Sequence, residues 1–552
     1  LLLEGVEILR GPSALLYGGG AIGGAVNLID RKIPTRLPDD GFEGEAEVRM
    51  GSADNERAGV IGATGGAGNL AIRLELAGRK ADDYEVPDWS EKTLDGSFSQ
   101  GRTATLGLFW IGSRGYLGAA YTEQRSKYGL PGHNHEYEGC HPHGSTLHCG
   151  GHGHDAHDDH EHDHDHEHED APIVDLASKR FDLRGEIEAP FAGIERIRLR
   201  GGYTDYAHDE IDEETVATTF TNKGYDARIE AQHAPVGALR GVFGVQTSRS
   251  DFAAVGAESF IPKSRAANTA IFLLEEYAAG DWRFEGALRQ EWQNMRAFGR
   301  PDASHQPFSA SVSASWGFAP GYLASIAVAR SQRAPSAQEL YARGVHLATN
   351  TYEIGDAALD VETANSVELT LKKTDGATTF TASAYRYAYD GYIYADTLDQ
   401  FEDFRLIRYS QADATFTGVE GELRRQFAPG LSATVFGDYV RAKFDDGGDL
   451  PRIPAGRLGL RGDFARGDWS ASAEYMRVFE QEKIAAFERR TRGYDMVNAT
   501  LAYDLALGGF DSQVFVRGTN LLDEKALNHA SFIANVAPLR GRNFTLGLRT
   551  RF

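Results

Sequence analysis

From Glu43 onward, apolar and polar residues alternate in segments of about 9 to 14 residues, the length that a tilted membrane strand needs. The clearest stretches are Thr103 to Trp110, Arg114 to Tyr121, Val242 to Phe252 and Ala433 to Val440. A period of two sends successive side chains to opposite faces of a strand, and a helical period is hard to find anywhere. Very short turn signals follow every second segment: APFAG at 189, APVG at 234, AAGD at 278, APG at 319, TDGA at 374, APG at 428 and ARGD at 465. The other connections are long and polar. Counting gives about 22 segments, the last alternating strictly through Phe544, Leu546, Leu548, Thr550 and Phe552. Short turns on one side and long loops on the other predict an all-β fold, an antiparallel transmembrane barrel of about 22 strands. An even count puts both barrel ends on the short-turn, periplasmic side, so every odd-to-even connection faces outward. A soluble sandwich would need neither so many strands nor such unequal loops.

Composition narrows the choice further. Hydrophobic residues make up 41% of the 552, yet no run approaches the roughly 18 to 20 apolar residues of a membrane helix. Abundant Gly (63), Tyr (23) and Phe (29), with only 4 Met, suit a barrel. The net charge of -23 argues against a nucleic-acid partner. The opening LLLEGVEILRGPSALLYGGG lacks the charged start and apolar core of a signal peptide, so the chain is expected to begin inside a longer protein. A barrel of this width needs a plug. Residues 1–38, Gly-rich and compact, are expected to be the C-terminal part of one, with the barrel at 39–552.

One segment changes the picture from architecture to chemistry. Between His133 and Asp170 lie thirteen of the eighteen histidines, both cysteines and eleven Asp or Glu, with no Lys or Arg. Imidazole, thiolate and carboxylate bind borderline metals, zinc above all. The run falls in the connection 127–176, between the fifth and sixth segments, and is therefore expected outside the cell. Its first half places His133, His135, His141, His143 and His148 among Cys140, Cys149, Tyr137 and Pro142. That half suits either an ordered site or a loop closed by a Cys140–Cys149 disulfide, with the disulfide favoured because thiols on a cell surface oxidise. Its second half, with His152, His154, His157, His160, His162, His164, His166 and His168 interleaved with acids, reads as a chelating bait. Metal must displace protons from such imidazoles, so capture should weaken as pH falls below about 6.5. A bait of this kind does not discriminate: copper should bind it more tightly than zinc, and nickel competes. The alternative for the whole run is a solvated low-complexity tract with no defined site.

The stretch VEILRGPSALLYGGGAIGGAVNL (6–28) resembles the end of the plug of TonB-dependent outer-membrane receptors. SQRAPSAQELYARG (331–344), VFVRGTNLLDEK (514–525) and the terminal Phe552, similar to a barrel-assembly signal, resemble the same family. Within it, the zinc-uptake branch is resembled by GLPGHNHEYEGCHPH (129–143), YAHDE (206–210), HLATNTYEIGD (346–356), DGYIYA (390–395) and NHASF (528–532). The resemblance implies a monomeric outer-membrane importer of Zn²⁺, surrounded by lipid and driven by TonB with its inner-membrane complex. It implies no resident cofactor, zinc being the cargo. The family's TonB box and most of its plug have no counterpart in this sequence, so transport is expected of the intact protein.

Selectivity needs a fixed site. His346 is carried over from the family motif, Glu258 from its loop between strands nine and ten, and His208, beside Asp209, is a third candidate. His529 is expected to pack in its loop, and His233 and His305 look incidental. The alternatives within transport are haem, whose iron histidine ligates, and nickel or copper. A passive metal sink would need no plug. GGGAIGG precedes a strand-like stretch instead of opening a helix, and no nucleophile–base–acid arrangement stands out, so no enzyme is expected. Chemistry alone assigns no role to RAPSAQEL.

Overall fold

The computed structural model describes residues 3–9, 11–132, 137, 139–149, 171–212 and 214–552. Its centre is one closed antiparallel barrel of 22 long strands. They are β1 (Phe42–Gly51), β2 (Arg57–Ala67), β3 (Leu70–Ala81), β4 (Ser99–Gly112), β5 (Gly115–Gly129), β6 (Ile173–Phe191) and β7 (Ile194–Asp212). There follow β8 (Thr215–His233), β9 (Leu239–Gly256), β10 (Ser264–Ala279), β11 (Trp282–Ala297), β12 (Phe308–Ala319), β13 (Tyr322–Arg333) and β14 (Glu362–Lys373). The last eight are β15 (Thr378–Phe401), β16 (Phe404–Ala428), β17 (Leu431–Phe444), β18 (Arg457–Arg466), β19 (Trp469–Val478), β20 (Tyr494–Leu507), β21 (Phe510–Thr519) and β22 (Asn543–Arg551). Strand β22 pairs with β1 from Thr545↔Gly51 to Arg551↔Glu45, which leaves no free edge. The Phe552 ring stacks on Phe42 beside this seam.

Strand β3 shows why the alternation makes a membrane wall. Leu70, Ile72, Leu74 and Leu76 face outward and are exposed, whereas Arg73 and Glu75 point into the lumen and are buried. The outer apolar set meets lipid and the inner polar set pairs within the protein. Every even-to-odd turn is tight, as in Phe191–Ile194 and Ala428–Leu431. The opposite end carries the long loops, except where the strands themselves rise. The 24-residue β15 and 25-residue β16 project as a hairpin that turns at Phe401–Phe404.

The first residues lie against the inner wall. Leu3–Leu9 pairs antiparallel with Ala25–Asp30, and 3-10 turns lie between them. Lys32 pairs with Asp182 of β6 at 3.4 Å, and Arg184 of β6 with Asp30 at 3.3 Å. Arg228 of β8 donates to the Leu16 carbonyl and lies over the Tyr17 ring, 5.7 Å from its centroid.

Candidate metal centre at the barrel mouth

Three elements at the long-loop end converge. The first is the end of β7, where period-two alternation sets Tyr206, His208 and Glu210 on one face. The second is the β9–β10 loop carrying Glu258 and Phe260. The third is the 334–361 loop, whose order begins at a short helix, Ala337–Tyr341. Ser336 and Glu339 cap that helix reciprocally, each side chain accepting the other's backbone N–H. The chain then forms a small hairpin of Arg343–His346 with Thr351–Ile354, turned by Asn350 in the left-handed region at φ 51°. Thr351–Ile354 also runs parallel to residues 405–408 of β16, which fastens the hairpin to the barrel. Gly355 is needed where the hairpin passes the helix end: a Cβ there would come within 2.5 Å of the Tyr341 nitrogen.

His346 is held from two sides. Its ring stacks on Phe260 with centroids 4.3 Å apart, and its Nδ1 lies 2.7 Å from Glu353 Oε1. Gln338 Nε2 (2.7 Å) and the Tyr409 hydroxyl (3.0 Å) donate to the other Glu353 oxygen. Burial alone would push the Glu353 carboxyl up, but the hydrogen bonds from His346, Gln338 and Tyr409 outweigh it and hold it below the usual carboxylate range. A carboxylate on one imidazole nitrogen fixes the ring and leaves Nε2 as the ligating atom.

Glu258 is 4% exposed, and one of its oxygens accepts the Leu347 N–H at 2.8 Å, next in the chain to His346. Burial first, and the adjoining Glu210 carboxyl second, push its pKa up to about 9. Glu210 is 6% exposed and its Oε2 has no hydrogen-bond partner. His208 stacks on Phe220 (centroids 4.5 Å), takes the Tyr206 hydroxyl on Nδ1 at 2.9 Å, and sets Nε2 3.7 Å from Glu210 Oε1. The structure thus brings His346, Glu258 and His208 into one neighbourhood and adds Glu210 and Glu353. Asp209 is on the other face, where its carboxylate accepts from Thr219 at 2.6 Å. Among the described residues, no three His, Cys, Asp or Glu are already closed up as a metal cage. The cluster is open, and the Glu258 and Glu210 carboxyls adjoin one another within it.

The histidine run contributes a second feature. Cys140 and Cys149 are joined in a disulfide. This corrects their place among the ligands: a disulfide sulfur carries no thiolate charge to bind metal. The bond closes a hairpin of His141–His143 with Thr146–His148. On it the rings of His143 and His148 are 4.6 Å apart, and His141 lies 5.1 and 6.3 Å from them. Tyr137, Cys140 and Leu147 pack on Phe404 and Leu406 beside Val345 and Tyr352, so this half of the run adjoins the His346 hairpin. The Leu147 N–H also donates to Asp399 at 2.7 Å. His133, His135 and His152 to His168 lie outside the described residues. His529 is buried and bonded to Thr491 at 3.2 Å, His233 to Glu275 at 3.1 Å, and His305 to the Leu359 carbonyl at 3.4 Å.

Comparison with known proteins agrees with this architecture. Three solved structures share the fold over nearly the whole chain. The "Copper transporter OprC" is 16% identical with a TM-score of 0.82, the match covering 99% of this chain and 88% of that one. The FrpB iron transporter from Neisseria meningitidis (F3-3 variant) is 12% identical, with a TM-score of 0.76 and coverage of 100% and 88%. The siderophore receptor PirA from Pseudomonas aeruginosa is 16% identical, with a TM-score of 0.69 and coverage of 99% and 86%. Identities this low establish a shared fold. Residues 68–521 match the family model described as TonB dependent receptor-like, beta-barrel. The chain therefore belongs to the TonB-dependent receptors: it is an outer-membrane β-barrel with TonB as its partner, and not an enzyme.

Proposed function

We propose that this receptor imports zinc. Residues 1–38 act as the end of its plug, the histidine run gathers the ion outside, and a site at the barrel mouth selects it. The observation that carries this reading is the His346 ring, fixed through Nδ1 by Glu353 and stacked on Phe260 beside the buried Glu258–Glu210 pair. Imidazole nitrogen with carboxylate oxygen is a donor set that zinc takes in tetrahedral geometry. His346 Nε2, Glu258 and Glu210 supply three donors, and His208 Nε2 a fourth. His141, His143 and His148 hand the ion across from the adjoining hairpin. Movement of the plug under TonB then lets it pass inward. Nickel and copper suit the same donors, and one structural relative is a copper transporter, so they are the competitors to test. Haem fits less well, because Phe260 covers a face of His346 and Glu353 occupies its other nitrogen.

A pH dependence follows. With its pKa raised to about 9, Glu258 holds its proton at neutral pH. Zinc bound by the Glu258 carboxylate must expel that proton. Affinity should therefore rise about tenfold per pH unit between about pH 7 and 8.5, one released proton being worth a factor of ten per unit. Calorimetric titration of the purified receptor with zinc, in buffers of different protonation enthalpy, should show about one proton leaving per ion at pH 7.5. Equal affinities at the two pH values, with no proton released, would remove Glu258 from the site.

A further inference from the structure

On the outer surface of the barrel, one patch breaks the charge pattern around it. Towards the long-loop end of β5 to β8, the exposed rings of Tyr121, Phe181, Tyr203 and Tyr225 stand opposite one another. Aromatic rows of this kind mark the boundary between lipid tails and water. Two residues nearer the loops, the outward side chains alternate in sign across β5 to β10. They are Glu123, Lys179, Asp205, Lys223, Asp251 and Arg265, so each charge faces its opposite. Lys223 and Asp205 lie 3.0 Å apart. On β2 to β5 the alternation fails. Arg57 stands directly opposite Lys80, and Arg102 directly opposite Arg125. All four are exposed on the lipid side, because Ile61, Leu76, Leu106 and Tyr121, each four residues away on the same strand, face outward. Arg125 bridges Glu123 at 3.1 Å. Among the described residues, Arg57, Lys80 and Arg102 have no carboxylate within 4.0 Å. Like charges placed directly opposite each other cost stability. General basicity does not account for them, since the chain carries a net charge of -23. Between the two pairs the floor is bare backbone. Gly59 is opposite Gly78, Gly78 is opposite Arg102, and a Cβ added at Gly78 would meet nothing within 4 Å.

We propose that this patch binds an outer-leaflet glycolipid that carries a phosphate at each end of its head group. Arg57 and Lys80 take one phosphate, and Arg102 and Arg125 take the other. The sugars lie over Gly59 and Gly78, and the acyl chains run down over Ile61, Leu74 and Leu76, all exposed. The spacing fits. The two pairs are two strands and two residues apart, so their centres are roughly 12 Å from each other. That is the reach of a disaccharide with a phosphate on each ring. The height fits as well. Arg125 lies four residues beyond Tyr121, about 10 Å above the aromatic row on a tilted strand, where lipid head groups begin. Guanidinium forks match phosphate oxygens, and a phosphate set between facing cations turns their repulsion into attraction. The self-paired row from β6 to β10 offers a lipid phosphate no such excess of positive charge.

Native mass spectrometry of the receptor in a mild detergent tests the idea. The probes are lipid A, a disaccharide lipid with two phosphates, and its monophosphoryl form. The expected result is one retained lipid A per receptor, bound at least tenfold more tightly than the monophosphoryl form. The double variant Arg102→Ser with Arg125→Ser should bind lipid A at least tenfold more weakly. Gly78→Leu fills the floor, leaves every charge in place and puts an apolar side chain on a lipid-facing surface, so the barrel should tolerate it. It should weaken binding by a similar factor. Lys223→Ser, in the self-paired row, should bind like the unsubstituted receptor. Undiminished binding by Gly78→Leu or by the arginine variant would overturn the site, as would an equal loss from Lys223→Ser. Equal affinity for the monophosphoryl form would overturn the two-phosphate assignment. Displacement of lipid A by millimolar inorganic phosphate would reveal a simple anion site and overturn the glycolipid.

Discussion

Replacing His346 with alanine is expected to lower the zinc affinity of the purified receptor by at least about a hundredfold, close to 2.7 kcal/mol. His346 is the nitrogen donor that a buried carboxylate orients, through the 2.7 Å contact of its Nδ1 with Glu353, while the Phe260 stack holds the ring plane. Zinc that loses it keeps two carboxylates and a histidine whose Nε2 lies against Glu210. Glu353→Gln, which keeps the shape but weakens the hold on Nδ1, should cost about 10- to 100-fold, the usual effect of a partner behind a metal-ligating histidine. His141→Ala should leave this affinity within about twofold while reducing capture by the loop, because the hairpin adjoins the site without entering it. Competition with a zinc-sensitive dye measures all three. Wild-type affinity in His346→Ala would contradict the assignment of the site.

Substituting Arg333 by methionine is expected to loosen the loop that presents His346. The Arg333 guanidinium bridges Glu339 at 3.0 Å and Glu362 at 3.1 Å, and both carboxylates are largely buried. The same Glu339 oxygen caps the Ala337–Tyr341 helix, and the same Glu362 oxygen accepts the Ile393 N–H. Removing the arginine strands two buried negative charges, a change that typically costs about 3 to 5 kcal/mol. The loss falls on the 334–361 loop and not on the barrel, whose strands are tied by continuous ladders. Limited proteolysis should therefore cut Arg333→Met within the loop while the barrel persists, and zinc affinity should fall with it through Gln338 and Glu353. Arg333→Lys keeps a charge but not the two-pronged bridge, and should lie between. A loop as protected as the wild type would show that the bridge does not hold it.

Much of the architecture was legible because membrane strands obey one strong rule. Inside and outside chemistry differ at every residue, so alternation survives in the sequence, and tight turns such as ARGD at 465–468 punctuate it. The count of 22, the placement of the histidine run between β5 and β6, and Glu258 in the β9–β10 loop all follow from that rule. The candidate site was legible only in part. His346 was visible through the family motif it matches, Glu258 through its loop between strands nine and ten, and His208 through its place beside Asp209. Glu210 was passed over for Asp209, although alternation along β7 already put Glu210, and not Asp209, on the face of His208. Glu353 was missed because its partner is seven residues away across a hairpin that no periodicity announces. The role of RAPSAQEL was unreadable for a related reason: Arg333 and Gln338 act on Glu362 and Glu353, which no local pattern places beside them.

Uptake of radioactive zinc by cells producing the receptor, with TonB present or deleted, tests the central claim most directly. The account predicts accumulation that depends on the receptor and on TonB, disappears with His346→Ala, and is displaced only weakly by nickel or copper at equal concentration. Zinc accumulation that persists without TonB, or uptake in which copper or nickel displaces zinc completely, would contradict it.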